Sequence, residues 1–119
     1  MLRAGKKIIM RKVRVASNIL ERTKGLMFED KKNFDYALIF EFPQESKVGC
    51  SIHMLFVFFP IDVLFLDKEK RVVDKVKLNP FVPNYTPKRP SKYVIELPQG
   101  KSKGIKLGQK IEWEREESK

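Results

Sequence analysis

The order of apolar and polar positions along this chain predicts short strands broken by turns. In "KKIIMRKVRVA", residues 6–16, Ile9, Val13 and Val15 make a partial apolar face, whereas Ile8, Met10, Lys12 and Arg14 do not. That mixture predicts a first strand near a sheet edge, where lysines discourage edge-to-edge pairing. The pattern then changes in "SNILERTKGLMFED". Asn18 with Glu21 three residues later is a capping-box spacing, and Gly25 after Lys24 suits an αL stop. A helix of barely two turns is expected between them, followed by the anchor Leu26, Met27 and Phe28.

"YALIFEF" (36–42) reads as a strand ended by Pro43 and the polar loop "PQESKVG". From Ile52 to Phe59 both parities are apolar, which predicts a strand covered on two sides and stopped by Pro60. "IDVLFLD" and "VVDKVKL" flank the polar turn "KEKR" as a β-hairpin, with Asp74 on its apolar side. Residues 79–90, "NPFVPNYTPKRP", hold four of the seven prolines and read as a long extended loop of the sort that borders function. "KYVIELP" and "QKIEWE" are further strands on either side of the turn "QGKSKGIKLG", and the tail from about residue 115 is expected to fray.

Six or seven short strands with one small helix near residues 18–25 predict a mainly β fold. Two architectures fit: a compact, partly closed β-barrel or a two-layer β-sandwich. At 119 residues the chain is expected to form one domain, able to fold without a metal or disulfides. A lone cysteine, Cys50, suits a reducing compartment. The N-terminal segment is basic without a continuous apolar core, and the longest apolar run is interrupted by Pro60 and Asp62. A cytoplasmic protein with no membrane partner is therefore expected.

Charge alters the picture of partners. Twenty-five Lys plus Arg against fifteen Asp plus Glu resemble the Lys/Glu-rich surfaces of thermophile proteins. The net charge of +10 favours an anionic partner through long-range attraction. Arg3, Lys6, Lys7, Arg11, Lys12 and Arg14 form one cationic set, and Lys88, Arg89, Lys92, Lys101, Lys103 and Lys106 a second. No aromatic RNA-binding motif, Gly-rich phosphate loop or zinc spacing turns these cations into a recognised module.

The ordered fragments "ERTKGLM", "ALIFEF", "HMLFVFFPIDVLFLD", "VIELPQG" and "GQKI" resemble the family called domain of unknown function 192, also uncharacterised protein family 0127. The likeness runs from about Val13 to Ile111 and implies a compact, mainly β fold. It implies no activity. Glu21, Arg22, Gly25, Leu26, Met27, Pro60, Asp62, Glu96, Pro98 and Gly100 match the family pattern. His53, Met54, Leu55, Phe56 and Val57 stand where many bacterial members carry Trp-Met-Lys-Asn-Thr, so no role of that Lys or Asn transfers here.

The candidate binding residues are Arg22, His53, Asp62, Glu21, Glu96 and Met54. His53, the one histidine, is either a hydrogen-bonded structural residue or a ligand-binding one. A zinc site wants three or four ligands, and one His with one Cys does not supply them. No metal or cofactor is expected. Cys50 reads as an inert small hydrophobe, and Met27 and Met54 as core filler. Glu21 caps the helix. Arg22 either pairs with a buried carboxylate such as Asp62 or Glu96, or clamps an anion with its planar fork. Asp62 and Glu96 could serve as an acid/base pair or as structural carboxylates.

No catalytic constellation is visible, so a small non-enzymatic domain binding a small anionic ligand is the leading expectation. Its site would be bounded by Arg22, His53, Asp62 and the 79–90 loop, with Arg22 and Asp62 close together. Sequence-independent nucleic-acid binding is the alternative, and an enzyme of unidentified type a third.

Overall fold

A computed structural model of the chain describes residues 1–114. The expectation about the tail from about 115 lies outside the described residues. The fold is mainly β: β1 (Leu2–Ala4), β2 (Lys7–Met10), β3 (Val13–Ala16), β4 (Ala37–Ser46), β5 (Ile61–Leu66), β6 (Val72–Leu78), β7 (Ser91–Pro98) and β8 (Glu112–Trp113). The one α-helix among the described residues, α1, spans Ile19–Lys24. The strands form a three-stranded sheet in the order β2-β1-β8 and a five-stranded sheet in the order β3-β4-β7-β5-β6. The sheets do not close into a barrel, so of the two expected architectures the layered one describes the molecule.

Strand periodicity explains the layering. On the five-stranded sheet, Ala37, Ile39, Leu64, Leu66, Ile95 and Leu97 join Leu2, Ala4, Ile9 and Ile111 of the smaller sheet and its flanks in one buried cluster. The alternate positions Leu38, Phe40, Val63, Phe65 and Val94 face the other way. There they meet Leu26, Phe34, Tyr36, Cys50, Ile52, Met54, Val57 and Phe59. One face of the large sheet is thus covered by a sheet, the other by irregular chain that includes the turn after α1.

Three expectations need correction. Residues 6–16 are two strands, with β2 on the edge of one sheet and β3 on the edge of the other. Both are edge strands, in keeping with their lysines, but the chain changes sheets at Arg11–Lys12. Second, Pro43 does not end β4, which runs on to Ser46 with its pairing to β7 broken between Glu41 and Ser46. Third, residues 52–59 are not a strand buried on both sides. Ile52 makes a single antiparallel bridge with Tyr85. Met54 exchanges backbone bonds with Val82 and Phe81, and the chain then turns through a Val57 N–H to Met54 C=O bond.

That turn leaves Leu55, Phe56 and Phe58 exposed while Met54, Val57 and Phe59 stay buried. The exposed rings shelter one another: Phe28 stacks on Phe56 at 4.9 Å, and Phe81 meets Phe58 edge-on at 5.2 Å. Phe28, Phe56 and Phe81 all have positive φ, a left-handed backbone that non-glycine residues seldom adopt.

The hairpin β5–β6 and the extended 79–90 loop form as expected. The hydroxyl of Tyr85 donates to buried Asp74 at 2.7 Å, and the Lys88 N–H donates to the same oxygen at 3.2 Å. The long loop is held to β6 by these two bonds.

Candidate functional site

A cavity of about 530 Å³ lies against the sheet face that carries Phe40, Phe42 and Glu96. Its apolar wall adds Leu26, Met27, Ile52 and Val57. Its polar groups are Arg22 and Lys24 from α1, His53 from the irregular segment, Gln44, Ser46 and Ser51 near the end of β4, and Glu96 of β7.

The helix positions Arg22 through its own caps. The Asn18 side chain accepts from the Glu21 N–H at 2.9 Å, and Glu21 Oε1 accepts from the Ser17 N–H at 3.3 Å. The turn beyond has Gly25 at φ 45°, ψ −123°. Its φ is positive as expected, but ψ lies outside the αL basin, so the stop is a different turn. From this helix the Arg22 side chain lies over the Phe42 ring, 5.1 Å from its centroid. Its Nη1 donates to the carbonyls of Ser17 at 2.6 Å and Glu41 at 3.2 Å. One terminal nitrogen is thereby held, and among the described residues no acceptor meets Nε or Nη2. Arg22, Phe42 and Pro43 also border a second hollow of about 440 Å³, which Ser17, Glu41 and Lys92 complete.

Glu96 is the unusual group. It sits in the middle of β7, 4% exposed, in register with Leu38 of β4 and Val63 of β5. Burial pushes its carboxyl up from the ordinary 4.5 to about 8, and burial is the sole cause. No described residue gives it a hydrogen bond, in contrast to the other buried carboxylates, Asp62 and Asp74. No fully sealed side-chain nitrogen or oxygen among the described residues is left unpartnered, so the polar end of Glu96 borders the cavity.

His53 takes part of both roles considered for it. Its Nδ1 accepts the Leu55 N–H at 3.2 Å, which assigns the hydrogen of the neutral ring to Nε2. The same residue lines the cavity. Cys50 is fully buried, its thiol bonded to the Ser91 carbonyl at 3.0 Å and pushed up to about 11 by burial. A thiol held in that state is a poor nucleophile. Met54 is buried in the core and does not line the cavity, whereas Met27 does. Glu21 is exposed and caps the helix. No cluster of three His, Cys, Asp or Glu able to hold a metal occurs among the described residues.

Asp62 is not part of this site. In the sheet it stands opposite Leu97, whereas Glu96 stands opposite Val63, so the two carboxylates point to opposite faces. The expected approach of Arg22 to Asp62 is therefore wrong: the large sheet lies between them. Asp62 Oδ2 instead accepts the Gly100 N–H at 3.1 Å, the Ser102 N–H at 3.0 Å and the Ser102 hydroxyl at 2.5 Å. No residue of the 79–90 loop lines the cavity either; the loop bonds through its backbone to Ile52 and Met54.

Of the six residues singled out in the sequence, Arg22, His53 and Glu96 line this cavity. Sequence reasoning missed Lys24, Phe40 and Phe42 as wall residues, and Ser102 as the partner of Asp62. The parity of Phe40, Phe42, Val94 and Glu96 was the available signal, since strands in register place such positions on a common face. Nothing local marks Ser102.

A family model described as Uncharacterized ACR matches residues 2–113. The chain is 42% identical over 105 residues to the UPF0127 protein of Pyrococcus furiosus, covering 87% of each. It is 44% identical over 104 residues to the UPF0127 protein of Pyrococcus abyssi, covering 86% of each. A solved structure of a protein of unknown function from Novosphingobium aromaticivorans matches with a TM-score of 0.73 at 26% identity, covering 85% of this chain and 74% of that one. The thermophile-like composition agrees with these relatives from thermophilic archaea.

Proposed function

The chain belongs to the DUF192 family of uncharacterised proteins, and within that family we propose a non-enzymatic role for it: reversible binding of a small anionic ligand in the 530 Å³ cavity. The observation that carries this reading is Arg22, held at the wall of a mostly apolar cavity with donors to spare. Pockets that bind small molecules have this make-up, with apolar walls for affinity and a few placed polar groups for orientation. Lys24 adds to the cationic character of the wall, and His53 adds a further polar group. The guanidinium fork recognises a carboxylate or phosphate through two parallel bonds.

Binding is favoured over catalysis because the groups that could work together are separated. Cys50 is buried and bonded, Asp62 faces the opposite side of the sheet, and Glu96 has no described partner for proton relay. The test is a thermal-shift series with benzoate, hexanoate and phenyl phosphate on the wild-type protein and on Arg22→Gln. A bound anion raises the melting temperature with concentration. Wild-type stabilisation that is absent in Arg22→Gln supports the reading. No shift with any anion, or equal shifts in both proteins, removes it.

A further inference from the structure

Glu96 narrows the ligand further. Among the described residues five buried ones are polar or charged: Asp62, Asp74, Ser91 and Ser102 are each engaged in hydrogen bonds, and Glu96 is not. A buried carboxyl with no donor nearby is more stable carrying its proton, because nothing replaces the water that would solvate the ion. Its hydroxyl is then a donor in need of an acceptor, and its polar end borders the cavity.

The charged and titratable groups around it come from three elements. Arg22 and Lys24 lie on α1 and His53 on the irregular segment, and all three line the same cavity. Tyr36, just before β4, is close enough for Glu96 to act on it, and burial raises its phenol as well. No cation offsets the burial of Glu96, although the Arg22 charge does act on the Cys50 thiol. Arg22 and Glu96 thus line one cavity, the one a cation and the other a neutral acid.

Building on the anion reading, we propose that the ligand is a small organic anion with a hydrogen-bond acceptor at its far end. Its charged group meets Arg22, its apolar body lies along Phe40 and Phe42, and a carbonyl or ether oxygen accepts the proton-bearing oxygen of Glu96. Ligand and proton are then bound together, and the ionised carboxylate rejects the acceptor because two lone pairs would face each other. Affinity falls as pH rises through the titration of Glu96, by up to about tenfold per pH unit above it.

The probes are 4-acetylbenzoate and 4-isopropylbenzoate, which have similar shape and the same charge but differ in the acceptor. Calorimetric titration near pH 6 is expected to show the acetyl compound binding about tenfold more tightly, the effect of one hydrogen bond. Near pH 9.5 that preference disappears in the wild type. Glu96→Gln, whose amide donates at every pH, keeps the preference at both values. Equal binding of the two probes near pH 6, or a wild-type preference unchanged at pH 9.5, overturns the acceptor-and-proton proposal while leaving the anion reading standing. If neither probe binds at any pH, both fall. A ¹³C NMR titration of the Glu96 carboxyl carbon without ligand gives an independent check. A midpoint near 8 is expected, and one in the ordinary carboxylate range overturns the proposal.

Discussion

Ser102 donates both its backbone N–H, at 3.0 Å, and its hydroxyl, at 2.5 Å, to a single oxygen of Asp62. The Gly100 N–H adds a third bond at 3.1 Å, so three donors, none of them a charged side chain, converge on this buried carboxylate oxygen. The clamp ties the turn after β7 to β5, on the sheet face opposite the cavity.

Ser102→Ala removes the hydroxyl and leaves a buried carboxylate oxygen short of a donor, a loss of about 1–3 kcal/mol. Chemical denaturation should show that loss, while any anion that binds wild-type protein binds the variant equally well. A change in affinity with unchanged stability would contradict the separation of clamp and cavity.

Glu96 makes stability depend on pH in a stated direction. Its folded value of about 8 lies above the ordinary 4.5 expected in the unfolded chain. Between those values the unfolded chain has already released the proton that the folded protein holds, so stability falls as pH rises and levels off above about 8. The fall amounts to a few kcal/mol, at about 1.4 kcal/mol per unit of difference. Denaturation midpoints at three pH values measure it, and Glu96→Gln should flatten the decline. A wild-type profile as flat as the variant's would remove the buried neutral acid.

Gly25 holds the exit of α1 at φ 45°, where a side chain is strained, and a Cβ added there would meet the Phe40 ring at 3.3 Å. Gly25→Ala is expected to lower stability by about 1–3 kcal/mol through backbone strain and crowding of the cavity wall. An unchanged melting curve would show that the turn can relax.

Part of the cationic surface is already engaged within the molecule. The two cationic sets meet where Lys7 donates to the Lys103 carbonyl at 2.9 Å, yet Arg3 is paired with Glu114 at 2.8 Å and Lys12 with Asp35 at 2.6 Å. Tyr93 and Trp113 pack edge to face at 5.2 Å, with the Lys70 ammonium 4.2 Å from the Trp113 ring. These two rings are thus already engaged and less free to stack on bases. Mobility-shift experiments with mixed-sequence RNA and DNA should show no complex at about 50 mM salt. A complex that is lost by about 200 mM would restore the nucleic-acid reading.

Patterns confined to a few residues were legible beforehand. Asn18 and Glu21 announced the helix start, the two arms around Lys68–Arg71 announced the hairpin, and Asp74 was placed on the apolar side by alternation alone. The apolar run from Ile52 to Phe59 misled because hydrophobicity on both parities also fits a folded-back segment whose rings cover each other. Only the backbone bonds to Val82, Phe81 and Tyr85 distinguish the two.

The β character, the helix caps and the burial preferences of side chains were readable along the chain, because propensity and alternation act over neighbouring residues. The sequence also marked Arg22, Asp62 and Glu96 as polar groups that would need partners. Their grouping was decided only by the tertiary structure. Strand register set Glu96 beside Val63 and Asp62 beside Leu97, and that one-residue offset put one carboxyl in the cavity and the other in the Ser102 clamp. A register is set by the packing of whole sheets, so no stretch of sequence around either residue contains it.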